Sequence, residues 1–473
     1  MSEISTLTAK EGTDTILDEI ARQAYQCMEC GRCTGSCPMV ELFPNDFHPH
    51  HLLSDLTRDP LKVLKVPELW FCASCYKCNA RCPQALEFPY FIMQLRSLAV
   101  KKNELVPMRK AFHKIAAAIP FPASFFCVCI HPERIGLKTS DIEKLHRDHL
   151  GRKKVEKFRG SGHRIAVVGS GPTGMMGAYE LGKRDYSVTV FESRSEPGGM
   201  FSKAIPEYRL PRSIVRDEIG HILSLGIELR NNLLIGRDIP LKQLLQEDFK
   251  AILLASGAHA CKELGFKGEN FQGVFTTLAF LEALKIKNKK VSGQQVVVIG
   301  GGNTAMDAAV AALRYGAREA TLLYRRTRGE MPADLNEIRE AEKQGVEIRF
   351  LEAPVGIHGT KSKVTQLECM KMQLCEPDLS GRRRPVPVEG SNFILELDTL
   401  VVAIGEKPQA DILPAEIATG RDSTVLVHPM SMETSMPGVF AAGDSVLGPA
   451  TVPDAILGAR RAVAGIEHFI KTS

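Results

Sequence analysis

The sequence predicts an α/β protein, with two Rossmann-like parallel-sheet units behind a mainly helical segment rich in cysteine. Three observations carry this reading. From His163 onward, buried-strand patterns alternate with helices, and glycines stand at the strand ends, as in a parallel sheet. Two of those strands run into glycine-rich turns, at Gly169 and Gly300. Ahead of His163 the patterns are helical, and eight of the chain's thirteen cysteines fall there in two identical blocks.

The blocks read CMECGRCTGSCP from Cys27 and CASCYKCNARCP from Cys72, each Cys-x2-Cys-x2-Cys-x3-Cys-Pro. Zinc could take one Cys-x2-Cys pair from each block, but that leaves the third cysteine and the proline unexplained. A 4Fe–4S cluster uses three closely spaced thiolates and one distant one, and in two-cluster ferredoxins the fourth cysteine of each run serves the other cluster. The expected sets are therefore Cys27, Cys30, Cys33 and Cys82, and Cys72, Cys75, Cys78 and Cys37. The intervening segment has helical patterns and prolines, so this is a mainly α-helical two-cluster ferredoxin domain. His48, His50 and His51 read as a polar loop or helix start.

Helical patterns continue to about residue 160 and end in the basic stretch HRDHLGRKKVEKFRGSG, a linker composition. The first unit opens RIAVVGSGPTGMMGAYELGKRDYSVTVFE. A strand meets Gly169-x-Gly171-x-x-Gly174, then a helix, then a strand ending at Glu192. The glycines allow a tight turn, close approach of a pyrophosphate and close helix packing, and the acid is placed to hold ribose hydroxyls. The second unit runs VVVIGGGNTAMDAA, with Gly300-x-Gly302-x-x-Ala305. Where the first unit has Glu192, the second has Arg325, with Arg326 and Arg328 beside it. Arginines there attract a 2′-phosphate through charge-assisted bonds, so the second nucleotide is expected to be NADP(H). The run GRRRPVP at 381–387 reads as an exposed hairpin loop. Cys261, Cys369 and Cys375 read as packing residues, since no Cys-x2-Cys or Cys-x4-Cys pair accompanies either turn.

Composition sets bounds on the alternatives. Hydrophobic residues make up 44% and charged residues 24%, with a net charge of +5; such a small excess does not point to nucleic acid, which needs a clustered basic surface. The longest apolar stretch, Ile115–Ile130, holds two prolines and is shorter than the roughly 20 residues of a membrane span. The N-terminus has no apolar core behind a basic start, and thirteen cysteines without a disulfide framework fit metal or redox work. A cytoplasmic location follows.

Residues 163–470 resemble the flavoprotein small subunit of NADPH-dependent glutamate synthase. The same stretches are similar to the flavin portion of dihydropyrimidine dehydrogenase and to the large subunit of NADH-dependent ferredoxin:NADPH oxidoreductase. They are VVGSGPTG, EPGGMFSKAIPEYRLP, VVVIGGGNTAMDAA, LLYRRTRGEMPA and GVFAAGDSVLGPATVPDAI. The first ~100 residues resemble instead the C subunit of heterodisulfide reductase, a helical domain with two 4Fe–4S clusters. The resemblance implies two nested Rossmann-like domains, with FAD in the outer one (163–272 and 398–473) and NADPH in the inserted one (273–397). The helical cluster domain would occupy 1–100 and a helical linker 101–162. Candidate FAD positions are then Gly169, Gly171, Pro172, Thr173, Gly174, Glu192, Gly199, Met200, Gly443, Asp444, Thr451 and Val452, the helix after Thr451 aiming its positive end at the flavin. Candidate NADPH positions are Gly300, Gly302, Asn303, Thr304, Arg325, Arg326 and Arg328.

Hydride transfer between nicotinamide and flavin needs no protein acid or base, so no catalytic side chain is expected. The implied activity is an oxidoreductase that passes electrons between NADPH and a redox protein partner, through FAD and two 4Fe–4S clusters, as a subunit of a larger complex. Three alternatives stay open at this point. They are a glutamate synthase small subunit in the strict sense, an electron-relay or docking subunit of a heterodisulfide-reductase-like or bifurcating complex, and a zinc-stabilised binding module.

Overall fold

A computed structural model of the chain describes residues 13–151, 156–160, 162–287, 291, 294–377 and 381–472. The N-terminal leader reading and part of the basic linker lie outside these residues.

The described residues from 13 to 151 are helical. Helices Pro38–Leu42 and Pro49–Arg58 both begin on proline, whose fixed φ and missing N–H suit a first helical position. Longer helices follow at Phe88–Lys101, Val106–Ala118 and Thr139–Leu150. Ile115–Ile130 is almost wholly buried and includes a π-turn at Phe126–Ile130. Among the described residues no helix is long and apolar enough to cross a membrane.

Two five-stranded parallel sheets follow. The first has the order Val439–Ala441, Phe249–Leu254, Arg164–Val168, Ser187–Phe191, Glu228–Arg230. The second has the order Val274–Thr276, Thr399–Val402, Gln295–Ile299, Glu319–Tyr324, Glu347–Phe350. Every strand of the second lies in sequence between Phe249–Leu254 and Val439–Ala441 of the first, so the two Rossmann-like units are nested. Thr399–Val402, which a boundary at 398 assigns to the outer unit, is a central strand of the inserted one. An antiparallel sheet built on Glu352–Thr360, Lys363–Pro377, Arg383–Pro387 and Phe393–Glu396 extends from the second unit. The run read as a hairpin loop at 381–387 therefore contains a strand.

The apolar core places the site. One continuous cluster joins the helical segment (Trp70, Phe91, Phe112, Phe126) to the first sheet and its covering helices (Val167, Met176, Ile456). The second sheet keeps its own core around Val298, Leu322 and Ala309. The cysteine-bearing segment is thus built into the outer unit rather than tethered to it.

Candidate functional site

The two cysteine blocks fold alike. At the second and fourth residues after the first cysteine the backbone is left-handed: φ is 49° at Glu29 and 71° at Gly31, and 49° at Ser74 and 56° at Tyr76. This curls each Cys-x2-Cys loop so that amides face sulfur. Glu29 N–H lies 3.4 Å from Cys27 Sγ, and Ser74 N–H lies 3.4 Å from Cys72 Sγ. Fully buried Arg96 braces the second block, donating to the carbonyls of Leu69 at 3.0 Å and Cys72 at 2.6 Å.

The thiols gather in two neighbourhoods. Cys27, Cys30, Cys33, Cys78 and Cys82 all line one hollow. Cys37 belongs with the other block: burial and then the neighbouring Cys72 and Cys75 thiols push its own up to about 12. Among the described residues no three His, Cys, Asp or Glu side chains converge on a single-ion point; a four-iron cube needs its four thiolates set wider than that. All thirteen cysteines are free. The eight thiols and the amides at sulfur fit two cubes, which the expected sets, Cys27, Cys30, Cys33 and Cys82, and Cys37, Cys72, Cys75 and Cys78, would hold. The histidines stand at a helix start, His48 preceding Pro49–Arg58, and His50 also lines the first hollow and bonds Thr34 Oγ1 at 2.6 Å.

A cavity of about 580 Å³ lies at the C-terminal end of the first sheet. Gly169 has φ 103°, and a Cβ there would stand 2.4 Å from the Ala255 carbonyl oxygen. A Cβ on Gly171 would meet only Gly199, at 3.8 Å, so this backbone faces open space where a pyrophosphate can approach. Pro172, Thr173, Glu192, Gly199, Met200, Asp444, Thr451 and Val452 also line the cavity. Gly174 instead packs under the turn, and Gly443 backs onto Thr173. Glu192 is buried and accepts from Ser170 N–H at 3.1 Å and Arg194 N–H at 2.9 Å. Burial pushes the Asp444 carboxyl up to about 7. These residues fit FAD: glycine-framed turn, buried acid and helix Val452–Thr472 starting at the cavity wall.

The cavity does not end at the outer unit. Ala73, Ser74 and Cys75 of the second block form part of its wall, as do Cys129 and His131 of the helical segment. Asn303, Asp307, Asp334 and Glu337 bring in the inserted unit. The sequence reading missed this wall, although Arg209, which lies in the stretch EPGGMFSKAIPEYRLP, organises it. Arg209 is buried and donates to Asp307 at 2.8 Å and Glu337 at 3.2 Å, and Glu337 also receives Arg134 at 2.6 Å. Asp307 faces Arg209 from the helix Asn303–Arg314 that begins at the second turn.

Gly300 sits at the second turn with φ 145°, its missing Cβ cleared for the Ala403 carbonyl. A Cβ on Gly302 would meet nothing within 4 Å, again leaving backbone open to a pyrophosphate. Asn303 reaches the cavity and brackets Asp334, whereas Gly300, Gly302 and Thr304 do not line it. The three arginines separate. Arg325 is exposed, Arg328 pairs with Glu342, and Arg326 is buried with its Nε on the Arg383 carbonyl at 2.7 Å. Cys261 is half-buried and Cys369 buried, but Cys375 is exposed, so it is not a packing residue.

Comparison with known proteins agrees with this geometry. The pyridine nucleotide-disulphide oxidoreductase profile matches residues 163–459, and a 4Fe–4S dicluster domain profile matches residues 23–86. The second match removes the zinc-module alternative. The chain is 43% identical over 314 residues to the NADP(+)-dependent formate dehydrogenase subunit beta of Moorella thermoacetica, covering 66% of this chain and 44% of that one. It is 34% identical over 435 residues to the NADPH-Fe(3+) oxidoreductase subunit beta of Geobacter sulfurreducens, covering 83% and 63%. This chain thus spans less than two thirds of either relative. The small chain of glutamate synthase [NADPH] from Escherichia coli is 32% identical over 332 residues, covering 66% and 69%. Among solved structures, FprA from Mycobacterium tuberculosis in complex with NADPH shares the fold, with TM-score 0.56 at 19% identity over 66% of this chain and 85% of that one. The chain belongs to the pyridine nucleotide-disulphide oxidoreductase family, with a 4Fe–4S dicluster domain set in front of its FAD- and NADPH-binding units.

Proposed function

We propose that this chain is the NADPH-oxidising iron–sulfur flavoprotein subunit of a larger cytoplasmic redox complex, passing electrons to a protein partner. The observation that carries the reading is one cavity walled by the Gly169 turn, by Asn303 of the inserted unit and by Ala73–Cys75 of the second cysteine block. FAD held at the Gly169 turn and Glu192 would supply the link between two-electron hydride chemistry and one-electron clusters.

The protein's own part is placement. Lys77, between Cys75 and Cys78, pairs with Asp454 in the first turn of helix Val452–Thr472. Asp454 also accepts from Thr451 N–H at 3.2 Å. That pair fixes the second block against the helix end facing the flavin site. Glu41 and Arg461, 2.7 Å apart, add a second tie along the same helix. On this reading Cys37, Cys72, Cys75 and Cys78 hold the inner cluster. Cys27, Cys30, Cys33 and Cys82 hold the outer one, where Cys30 is exposed and Met28 and Tyr25 stand 66% and 71% exposed. A partner would dock there.

Cys33→Ser in the full chain tests the route. NADPH should still bleach the flavin, while reduction of the partner or of an artificial protein acceptor is lost. Surviving transfer at the wild-type rate would place the exit elsewhere.

A further inference from the structure

The charge run at 381–387 is not idle. Its strand Arg383–Pro387 pairs with the far end of Lys363–Pro377. The first residue of that strand meets the turn that closes Glu319–Tyr324, where a Rossmann unit selects its nucleotide. Arg326 Nε donates to the Arg383 carbonyl at 2.7 Å, across 57 residues of sequence. Arg383 Nε donates in return to Glu330 Oε1 at 2.6 Å. The other oxygen of Glu330 accepts from Thr327 N–H at 3.1 Å and from the Thr327 hydroxyl. Hairpin and turn are thereby stitched through Arg326, Arg383, Glu330 and Thr327.

This stitching changes what the turn can offer. Arg326 is buried against the hairpin, and Arg328 is engaged by Glu342 and lies over the Phe350 ring at 5.6 Å. Of the three adjacent arginines, Arg325 alone is both exposed and uncommitted among the described contacts. A 2′-phosphate near a double charge is held best by guanidinium forks from more than one direction. Arg383 brings a second guanidinium to this turn: its side chain is 53% exposed, and its Nε is bonded to Glu330 Oε1.

We propose that Arg383, carried on an arm outside the Rossmann core, completes with Arg325 the 2′-phosphate site of NADP(H). Arg326 is then a positioning residue that holds the arm to the turn. This rests on NADP(H) being the nucleotide at the Gly300 turn.

The test uses the full holoprotein and equilibrium binding of NADP+ and NAD+ by calorimetry, without turnover. Arg383→Gln and Arg325→Gln should each lower the preference, the ratio of the NAD+ to the NADP+ dissociation constant, by about tenfold or more. Arg383→Lys keeps the ion pair with Glu330 and should retain part of the preference, and it carries the test if the glutamine variant does not fold. An unchanged ratio in the Arg383 variants, including equal weakening of both nucleotides, overturns the proposal. A wild-type chain with no preference for NADP+ would instead overturn the NADPH reading beneath it.

Discussion

Lys285 shows how a single side chain joins the two nucleotide units. It belongs to the inserted unit, yet its Nζ donates to the carbonyls of Phe201, Ile205 and Leu210 in the outer one, at 2.7, 2.6 and 3.0 Å. Nothing in its local sequence marks it, because its partners are backbone atoms some eighty positions away. Lys285→Met removes the donor and leaves those carbonyls buried, and should cost about 3 kcal/mol in chemical denaturation. Glu218 does similar work between linker and outer unit, accepting from Ala123 N–H at 2.6 Å and from Ser124. Burial pushes its carboxyl up from 4.5 to about 8. The folded chain therefore holds this proton more tightly than the unfolded one, and its contribution to stability falls as pH rises from about 4.5 to about 8. The melting temperature of Glu218→Gln should accordingly fall less steeply than wild type across that window; parallel profiles would contradict the assignment.

At the scale of elements, the cysteine blocks were the most legible part of the chain. Cluster ligation needs fixed spacing, and spacing is what a sequence displays. The cost of the local fold was not legible: Gly31 meets the left-handed backbone freely, whereas Tyr76 adopts it at the same place in the second block with its hydroxyl buried and unpartnered. Because Cys82 lies with the first block, Cys82→Ala should remove about half of the bound iron while the inner set of thiols keeps its own. Adding Cys30→Ala to it should remove no further iron, since both serve one cluster; a double variant that loses nearly all of the iron with the fold intact would break the crossed pairing. The Rossmann turns were equally plain, since glycine spacing, strand and helix are local. The fate of the arginines was not, because an arm 57 residues downstream decides which of them faces outward. The strand Thr399–Val402 was misplaced for the same kind of reason: its four buried residues fit either sheet, and only pairing assigns it.

For the whole molecule, the shared core of helical segment and outer unit makes the cluster domain a wall of the flavin cavity. Charged contacts then lock the inserted unit to both. Arg209 grips Asp307 and Glu337, Arg134 grips Glu337, and Arg339 reaches Glu87 at 3.2 Å beside the second block. Breaking buried pairs of this kind costs several kcal/mol, so Arg209→Met should loosen the inserted unit, read as faster amide exchange along Asn303–Arg314 with the first sheet unaffected. The proposed route depends on the second cysteine block being the flavin's electron outlet. Anaerobic titration of the full chain with NADPH, followed by visible absorption and electron paramagnetic resonance, tests it most directly. Cluster signals should appear as the flavin bleaches, and Cys33→Ser should keep those of the inner set. A flavin that is fully reduced while both clusters stay oxidised would contradict it.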